Sequence, residues 1–579
     1  MPNMIQNAKD SISQILNAAY QKAAEKGELP AGAALSGTVE IPKDSANGDF
    51  AANHAMAGAK ALHMAPRKIA EALIANADLA DTWFASVEVA GPGFINFRLA
   101  DRWYADVLNA VTQEGADYGR SDIGHGQKVM VEFVSANPTG PMHMGNARGG
   151  VLGDALASVL DRAGYQVWRE FYVNDAGNQI EKFANSIDAR YQQLLLGEEQ
   201  VAFPEDGYHG DDIKDLAKLF YEANGDKYLT VPVAERHQAM AEFGLQRNIP
   251  KMQEDLRRYG IEYDQWFFES ELHESGYVAE SVQKLTDRGY TYEKDGALWL
   301  KTSQILAEQL LKAGKKQEEI DKLELKDDVL RRANGFYTYF AADIAYHRNK
   351  LEKRGFDKAI NVWGADHHGH VARLKGAMDA LGLDGEHRLD IVLMQLVKLT
   401  RNGEVVRMSK RTGKAISLTD LLDEIPVDAA RYFFNSRPES PVEFDLELAI
   451  RQDSENPVYY VQYAHARICT LLSALAAEGH TVPASADAAL LSTAEEKELI
   501  KQLAALPEEI RLAARDYDPS RINRYVTELA ARFHRFYTVC RIKGAESDVQ
   551  AARLLLADCV RRVIAVSLGI IGVTAPEKM

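Results

Sequence analysis

The spacing of apolar side chains divides the chain into stretches of different character, and the first combines helix and strand patterns. Residues 4–25 repeat apolar positions at helical intervals, and Gly27 ends the repeat. The alternating run 94–97 follows directly on a tight turn at 91–93, which is typical of a strand. The pattern therefore predicts a small α/β domain over residues 1–115.

A strand–loop–helix–strand pattern comes next. The run 129–135 is apolar and rich in β-branched residues. Residues 147–162 carry an apolar helical face that ends at Gly164, and a second strand pattern covers 166–173. Such a unit forms parallel strands with a right-handed crossover, and ligands bind beyond the carboxyl ends of such strands. The pattern therefore predicts a Rossmann-like sheet.

The strand pattern stops after residue 175 and returns much later. Residues 176–330 are charged, tyrosine-rich and helical in spacing, whereas 359–364 is again an apolar strand run. We therefore expect a split Rossmann-like, parallel-sheet domain with a helical insertion between its halves. The two halves span residues 116–175 and 331–425.

The carboxyl-terminal part of the chain has helical spacing only. After a connecting segment at 426–450, residues 451–579 show no strand pattern, which predicts a separate helical bundle. The predicted fold class is therefore α/β plus all-α, with a small N-terminal α/β domain, a split parallel sheet and a C-terminal helical bundle.

Composition and charge exclude several classes of protein. Hydrophobic residues make up 46% and charged residues 26% of the 579 positions, which excludes a largely disordered chain. The net charge of −17 argues against a protein that coats nucleic acid, although a local basic face stays open. The three cysteines form no zinc pattern, the N-terminus has no signal-peptide pattern, and the apolar run 563–573 is too short for a membrane span. We expect a cytoplasmic protein with no membrane segment and no bound metal.

The loop after the first predicted Rossmann strand carries the strongest chemical signal. Turn-forming residues, including Pro141 and Gly145, are combined there with His143 and Asn146 just before a helix. A helix N-terminus offers unpaired N–H groups and a positive dipole end, which suit phosphate, and His143 adds a side-chain donor. The structural alternative is a strand-to-helix turn in which Asn146 only caps the helix.

A second signal is the basic loop RMSKRTGK at residues 407–414. In an acidic protein, flexible lysines beside a glycine suit the migrating charge of a triphosphate. The alternative is a solvated basic turn. Each loop alone is a weak signal, but the two occur in order around one predicted sheet.

Together the loops resemble the signature motifs of class I aminoacyl-tRNA synthetases, His-x-Gly-His and Lys-Met-Ser-Lys-Ser. Two positions depart from these motifs, because Asn146 replaces the final histidine and Arg407 the first lysine, whereas Lys410 is kept. Over essentially the whole chain, ordered segments are similar to bacterial-type arginyl-tRNA synthetases: VEFVSANPTGPMHMGN, FYVNDAGNQI, DGALWLKT, YFAADIAYH, GADHHGHVARLK, RMSKRTGK, DAARYFF and NPVYYVQYAHARIC.

The resemblance implies an arginine–tRNA ligase that works in two steps. Arginine attacks the α-phosphate of ATP to give arginyl-adenylate and pyrophosphate, and the terminal ribose of tRNA then accepts the arginyl group. Neither step needs a covalent nucleophile, so positioning and charge stabilisation carry the catalysis. ATP arrives with Mg²⁺ as a substrate, and no tightly bound cofactor is expected. The implied partners are the arginine tRNAs, ATP and L-arginine, and we expect a monomer.

The resemblance also implies roles for individual residues in the split domain. The catalytic residues are His143, Asn146 and Lys410. The ATP-binding residues are Pro141, His143, Gly145, Asn146, Gly364, Asp366, His367, Met408 and Lys410. The arginine-binding residues are Glu132, Ser135, Asn137, His143, Tyr339, Asp343 and His367.

The spacing and type of some of these residues support the implied roles, although each residue also has a structural explanation. Tyr339, Asp343 and His347 are spaced to share one helix face, although Asp343 alone would be an ordinary surface acid. Glu132 is unusual in a buried strand, which favours a functional role. The cluster 366–370 could be a metal site, but no further ligand motif accompanies it. We instead expect the adenosine and arginine sites to be lined by Asp366, His367 and His370.

The helical bundle carries the expected RNA contacts. Tyr460, Tyr463 and Arg467 share one helix face, and two aromatic rings with a guanidinium suit unpaired bases. The alternative is a core stripe with its hydroxyls at the rim. The resemblance favours anticodon binding and adds Tyr537 and Met579.

Two other functions stay open. The altered motif residues would fit a non-catalytic tRNA-binding protein, although the intact His143, Asp343 and Lys410 argue against it. A small-molecule adenylyltransferase could share the first motif, although the helical bundle and the full-length resemblance argue against that.

Overall fold

The computed structural model describes residues 3–365, 368–395, 397–406, 416–436 and 442–579. Five residues discussed above lie outside these ranges: Asp366, His367, Arg407, Met408 and Lys410. Within the described ranges, no helix is long and apolar enough to cross a membrane.

The N-terminal domain is a four-stranded antiparallel sheet covered by helices. Its elements are α1 (Met4–Glu25), β1 (Val39–Glu40), β2 (Phe50–Ala52), α2 (His54–Leu62), α3 (Pro66–Asn76), β3 (Phe84–Ala90), β4 (Phe94–Leu99) and α4 (Asp101–Glu114). The strands are ordered β1-β2-β4-β3. The predicted first helix is confirmed as α1, whose apolar face is buried and whose first turn is capped by Asn3.

The next stretch contains the βαβ unit and the insertion. Its elements are β5 (Lys128–Glu132), α5 (Met144–Arg162), β6 (Gln166–Val173), α6 (Asn178–Leu196), α7 (Asp211–Asn224), α8 (Val233–Arg258), β7 (Gln265–Phe268), α9 (Glu269–Glu274), α10 (Tyr277–Asp287), β8 (Thr291–Lys294), β9 (Ala297–Leu300), α11 (Thr302–Lys312), α12 (Gln317–Asp321) and β10 (Asp328–Arg331).

The chain then returns to the sheet and leads into the bundle. The elements are α13 (Tyr339–Arg348), which runs into a π-helical turn at Asn349–Lys353, then β11 (Lys358–Gly364), α14 (His368–Ala380), α15 (Gly385–Arg388), β12 (Leu389–Met394), β13 (Val397–Arg401), β14 (Glu404–Val405), α16 (Leu418–Glu424), α17 (Val427–Asn435), β15 (Val442–Asp445) and α18 (Leu446–Ile450). The bundle consists of α19 (Pro457–Ala477), α20 (Ala494–Asp516), α21 (Ser520–Val539) and α22 (Ser547–Ile570).

A five-stranded sheet in the order β12-β11-β5-β6-β7 forms the centre of the molecule. Every neighbouring pair of strands is parallel, so all carboxyl ends lie at one edge. The predicted strands are confirmed as β5, β6 and β11, although β5 ends at Glu132 because the backbone turns there. The loops after β5, β7 and β11 therefore meet at the edge where ligands bind in such folds.

The insertion is mainly helical, as predicted, but it also contains strands that the sequence did not indicate. β7 extends the central sheet, and β8, β9 and β10 form a separate three-stranded sheet. Each of these strands has four residues, too few for a periodic pattern to distinguish a strand from a helical turn. The Trp266 ring stacks on Phe171 with centroids 4.1 Å apart, which fixes β7 against β6.

The helical bundle packs against the rest of the molecule. One continuous hydrophobic core includes buried side chains of the N-terminal domain, the central sheet and the bundle. The Tyr118 hydroxyl, after α4, donates to the Leu503 carbonyl in α20 at 3.0 Å. The predicted all-helical character is confirmed, since no strand occurs in 451–579, a range the structure describes in full.

Arg431 joins four segments of this assembly through one buried guanidinium. It pairs with Asp154 in α5 and donates to the carbonyls of Tyr259 at 3.1 Å and Gly260 at 3.2 Å, before β7. It also donates to the Ile571 carbonyl, just after α22, at 3.2 Å. The planar fork of arginine allows one side chain to serve several acceptors.

We expect Arg431→Met to lower the melting temperature by several degrees. The substitution keeps much of the buried volume but removes the donors of several buried acceptors, a loss of roughly 3 kcal/mol. Scanning calorimetry would measure it. Arg451→Met serves as the control because Arg451 is a surface residue paired with Asp453 and Glu455. Equal shifts in both variants would contradict a bridging role for Arg431.

Candidate active site at the carboxyl edge of the sheet

The loop after β5 is strained. Val134 has a φ of +70° and Ser135 a φ of +42°, and a β-branched residue rarely adopts this left-handed region. The Ser135 N–H donates to the Phe133 carbonyl at 3.1 Å, which closes a γ-turn around Val134. The Ser135 hydroxyl donates to Glu132 at 2.8 Å and accepts the Tyr172 N–H at 3.2 Å. Such strain persists only where neighbours hold it, and it concentrates at ligand sites.

His143 forms the N-cap of α5. Its Nδ1 accepts the Gly145 N–H at 3.1 Å, and the Asn146 side-chain oxygen accepts the His143 N–H at 3.0 Å. Asn146 thus takes part in the cap, as the structural alternative held, but from the third helical position. Because Nδ1 accepts, the neutral ring carries its proton on Nε2, and burial lowers the pKa of His143. The site therefore combines a neutral donor with the positive dipole end of a helix N-terminus.

The chain returns to this loop after the predicted basic loop. The Leu418 N–H donates to the Met142 carbonyl at 2.8 Å, and His143 forms an antiparallel bridge with Ser417. Ser417 then caps α16. The basic residues 407–415 lie outside the described residues, but the segment that follows them is held beside the first loop.

Asp343 lies in α13 and is 5% exposed. The predicted helix face is confirmed, since Tyr339 precedes Asp343 by one turn of α13. The His370 Nε2 atom is 2.9 Å from the Asp343 carboxylate, and its Nδ1 accepts from Arg373 at 3.1 Å. The Arg373 contact fixes the tautomer, so His370 donates to Asp343. Arg373 in turn pairs with Asp328 at 2.7 Å, on the insertion's own sheet.

A second buried carboxylate, Glu269, was absent from the sequence prediction. It follows β7 directly, is 5% exposed, and accepts the Tyr172 hydroxyl at 2.8 Å. Burial raises the pKa of Asp343, the bond from His370 opposes this, and the charges of Glu132 and Glu269 raise it further. The only signal in the sequence was an acid at the end of a strand too short to recognise. Three carboxylates thus make this edge negative and poorly solvated, which suits a cation.

The remaining predicted residues lie around this pocket or in the loop beside it. Tyr339 begins α13 and is 58% exposed, and the Asp343 charge raises the pKa of its hydroxyl. Gly364 ends β11. Asn137 and Pro141 are exposed in the loop after β5. Over the described residues, no group of three or more histidine, cysteine, aspartate or glutamate side chains is arranged to hold a metal.

An aromatic surface lies on α19 and α21. Tyr463 is 40% exposed and stacks with Tyr459 at 6.1 Å between centroids. The Arg467 guanidinium lies 4.1 Å from the Tyr537 ring centroid. An open cavity of about 390 Å³ is lined by Ser454, Tyr459, Tyr460, Tyr463, Arg467 and His534. The predicted face is therefore a surface at Tyr463, whereas Tyr460 and Tyr537 are half-buried and pack against the hydrophobic core, in line with the core-stripe alternative.

The C-terminal tail is anchored on another side of α19. The Gln462 amide donates to the Thr574 carbonyl at 2.9 Å, and His465 contacts the Pro576 carbonyl at 2.9 Å. At 100° per residue, His465 lies about 160° and Gln462 about 100° around α19 from Tyr463. Met579 follows this anchored segment and is exposed.

Three family models match successive parts of the chain. The arginyl tRNA synthetase N terminal domain matches residues 6–99, and the catalytic domain of class I (R) tRNA synthetases matches 107–442. The DALR anticodon binding domain matches 461–579. The chain belongs to the arginyl-tRNA synthetase family. In this family's terms, the split sheet with its insertion is the class I catalytic domain, and the bundle that carries the aromatic surface is the DALR domain.

Relatives of known name are similar over the full length. The arginine–tRNA ligases of Acetivibrio thermocellus and Caldanaerobacter subterraneus are 52% and 54% identical, and each alignment covers 100% of both chains. The solved structure of Thermus thermophilus arginyl-tRNA synthetase has a TM-score of 0.73 at 21% identity, covering 99% of this chain and 100% of that one. The predicted fold class of this arginyl-tRNA synthetase family member is thereby confirmed.

We expect Asp343→Asn to raise the melting temperature at neutral pH. Because the pKa of Asp343 is raised in the fold, the native state favours the protonated carboxyl, and the charge destabilises the fold above that pKa. Asparagine keeps an oxygen for His370 without the charge. The increase in melting temperature should become smaller as the pH falls toward the ordinary pKa of aspartate. Thermal unfolding of both proteins between about pH 4 and pH 8 would measure this. A lower melting temperature at neutral pH would show that the carboxylate is structural.

Proposed function

We propose that this protein joins L-arginine to its cognate tRNA through an arginyl-adenylate, releasing AMP and pyrophosphate. One observation carries the proposal: buried carboxylates converge beside a helix N-terminus that suits phosphate. Asp343 and Glu269 offer negative charge to a cationic side chain, and His143 offers a donor to a triphosphate. Family membership and the full-length relatives support the same reaction.

The guanidinium of arginine is proposed to bind between Asp343 and Glu269. A guanidinium is always charged, and its planar donors match carboxylates. Among the described residues, no lysine or arginine lies within 4.0 Å of either carboxylate, whose partners are histidines and a tyrosine. The substrate would supply the missing cation. Around it, the proposed arginine-binding residues are Glu132, Ser135, Asn137, His143, Tyr339 and His367.

The triphosphate is proposed to bind at the N-terminus of α5. His143 would donate from Nε2, and Asn146 keeps His143 in place through the capping box. This arrangement accommodates the departure from the usual histidine, because Asn146 acts on the backbone rather than by charge. ATP would bring Mg²⁺ as its counter-ion. The proposed ATP site is completed by Pro141, Gly145, Gly364, Asp366, His367, Met408 and Lys410.

The aromatic surface of α19 and α21 is proposed to receive unpaired bases of the tRNA anticodon loop. Exposed rings stack on bases without needing a particular sequence, and Arg467 can meet a base or a phosphate. Tyr460, Tyr463, Arg467 and Tyr537 form this surface, and Met579 is proposed as a further contact from the tail. We further propose that the protein acts as a monomer in the cytoplasm, as expected from the sequence.

The first test is ATP–pyrophosphate exchange. We expect exchange that depends on arginine in the presence of tRNA, followed by transfer of radiolabelled arginine to tRNA. Equal exchange with lysine or glutamate would contradict the arginine assignment. Tight tRNA binding without any exchange would favour the non-catalytic tRNA-binding protein, and exchange with a substrate other than an amino acid would favour the adenylyltransferase.

Asp343→Asn and Glu269→Gln should each reduce kcat/KM for arginine on the order of a hundredfold or more, since each removes one partner of a buried charge pair. KM for ATP should change little. In the wild type, KM for arginine should rise as the pH falls through the raised pKa of Asp343, because the protonated carboxyl no longer attracts the guanidinium. The exposed Asp321→Asn is the control. Wild-type kinetics in folded Asp343→Asn would remove Asp343 from the pocket.

Tyr463→Ala should raise KM for tRNA and leave KM for ATP unchanged, because one stacking contact is worth about 1–3 kcal/mol. The dependence of tRNA affinity on salt should stay the same, whereas Arg467→Ala should flatten it if Arg467 meets a phosphate. Tyr221→Ala is the matched control, since Tyr221 is equally exposed in α7 at 41%. A large loss of stability with unchanged tRNA affinity would mean that Tyr463 serves only in packing.

A further inference from the structure

Lys350 is a fully buried lysine beneath the carboxylate pocket. It lies in the π-helical turn Asn349–Lys353, and its side chain has no exposed area. Its Nζ donates to Glu132 at 2.5 Å and to the Asn361 side-chain oxygen at 3.1 Å, and it lies 4.1 Å from the Tyr346 ring centroid. A buried ammonium is costly, so its retention together with a carboxylate needs an explanation.

Among the described residues around Lys350, Glu132 is the one that balances its positive charge. His347 donates from Nδ1 to the Asp343 carbonyl at 2.8 Å and accepts the Asn361 amide at Nε2 at 2.7 Å. Burial, followed by the charge of Lys350, holds the pKa of His347 well below its usual value. The ring is therefore neutral, and Glu132 and Lys350 form a closed ion pair.

Glu132 is occupied on both oxygens. One accepts from Lys350, and the other accepts the hydroxyl of Ser135, which is part of the strained turn that leads to the first motif loop. Asp343 and Glu269, by contrast, have no lysine or arginine partner among the described residues: His370 donates to Asp343, and Tyr172 and His273 contact Glu269. Lys350 follows Asp343 by seven residues and His347 by three, spacings that place it on the same face of the helix, and the π-turn in which it lies is of a kind frequent at functional sites.

We propose that Lys350 is a positioning residue that sets the charge of the arginine pocket. It cancels the charge of Glu132 and holds it on Ser135, so that arginine meets two uncompensated carboxylates rather than three. This inference rests on the proposed function. Without Lys350, a third carboxylate would compete for the guanidinium and misplace it. Without Glu132, an unpaired ammonium would repel it.

The test is a charge-cancelling pair of substitutions with steady-state kinetics for arginine. Lys350→Met removes the ammonium at similar volume, and we expect kcat/KM for arginine to fall at least about tenfold. Glu132→Gln leaves the ammonium unpaired while its amide oxygen can still accept from Ser135, and we expect KM for arginine to rise at least about fivefold. The double variant should recover at least about threefold over each single variant, because neither charge is left unpaired.

A matched control and a stability measurement separate this effect from folding. Lys353→Met makes the same change at an exposed position of the same π-turn and should leave the kinetics unchanged. If Lys350→Met does not fold, the comparison of Glu132→Gln with the double variant still decides. A double variant no better than either single variant, with losses that follow melting temperature, would overturn the inference. Failure of the wild type to use arginine would instead overturn the proposed function.

Discussion

Buried negative charge at the carboxyl edge of the central sheet is the constraint around which this structure is arranged. Asp343, Glu269 and Glu132 are each about 95% shielded from solvent, and two of them have histidines but no lysine or arginine beside them among the described residues. Desolvated carboxylates are costly, so the fold must hold them with neutral donors and rigid elements. The energy is recovered only when a cation binds, which links the cost in stability to the proposed use of the pocket.

The split topology follows from this constraint. The three carboxylates come from β5, from the segment after β7 and from α13, which are separated by long stretches of chain. Parallel pairing brings the loops after β5 and β7 to one edge of the sheet, so the insertion, which contains β7, forms part of the site. Arg373 and Asp328 extend the same connection from the pocket to the sheet β8–β10. Arg431 performs a similar role on a larger scale, joining the catalytic domain to the end of the bundle.

Much of the fold and part of the candidate site could be predicted from the sequence, and the residues that the prediction missed were missed for physical reasons. Long periodic segments such as α1, α5, β6 and α19 were predictable because their burial is regular over many residues. The spacing of Tyr339 and Asp343 placed them on one helix face. Glu269 was missed because β7 is an edge strand of four residues held by aromatic stacking across the sheet. Lys350 continues the helix face of Asp343 and His347, but it was missed because a lysine at such a spacing is ordinarily a solvated surface residue, and its burial against Glu132 depends on the packing of α13 on β5 and β11.

The most direct measurement is a crystal structure of the protein with L-arginine bound. The account predicts the guanidinium between the carboxylates of Asp343 and Glu269, with Glu132 still paired to Lys350 and bonded to Ser135. A guanidinium bound to Glu132, with Lys350 displaced from it, or one bound away from both Asp343 and Glu269, would contradict the account.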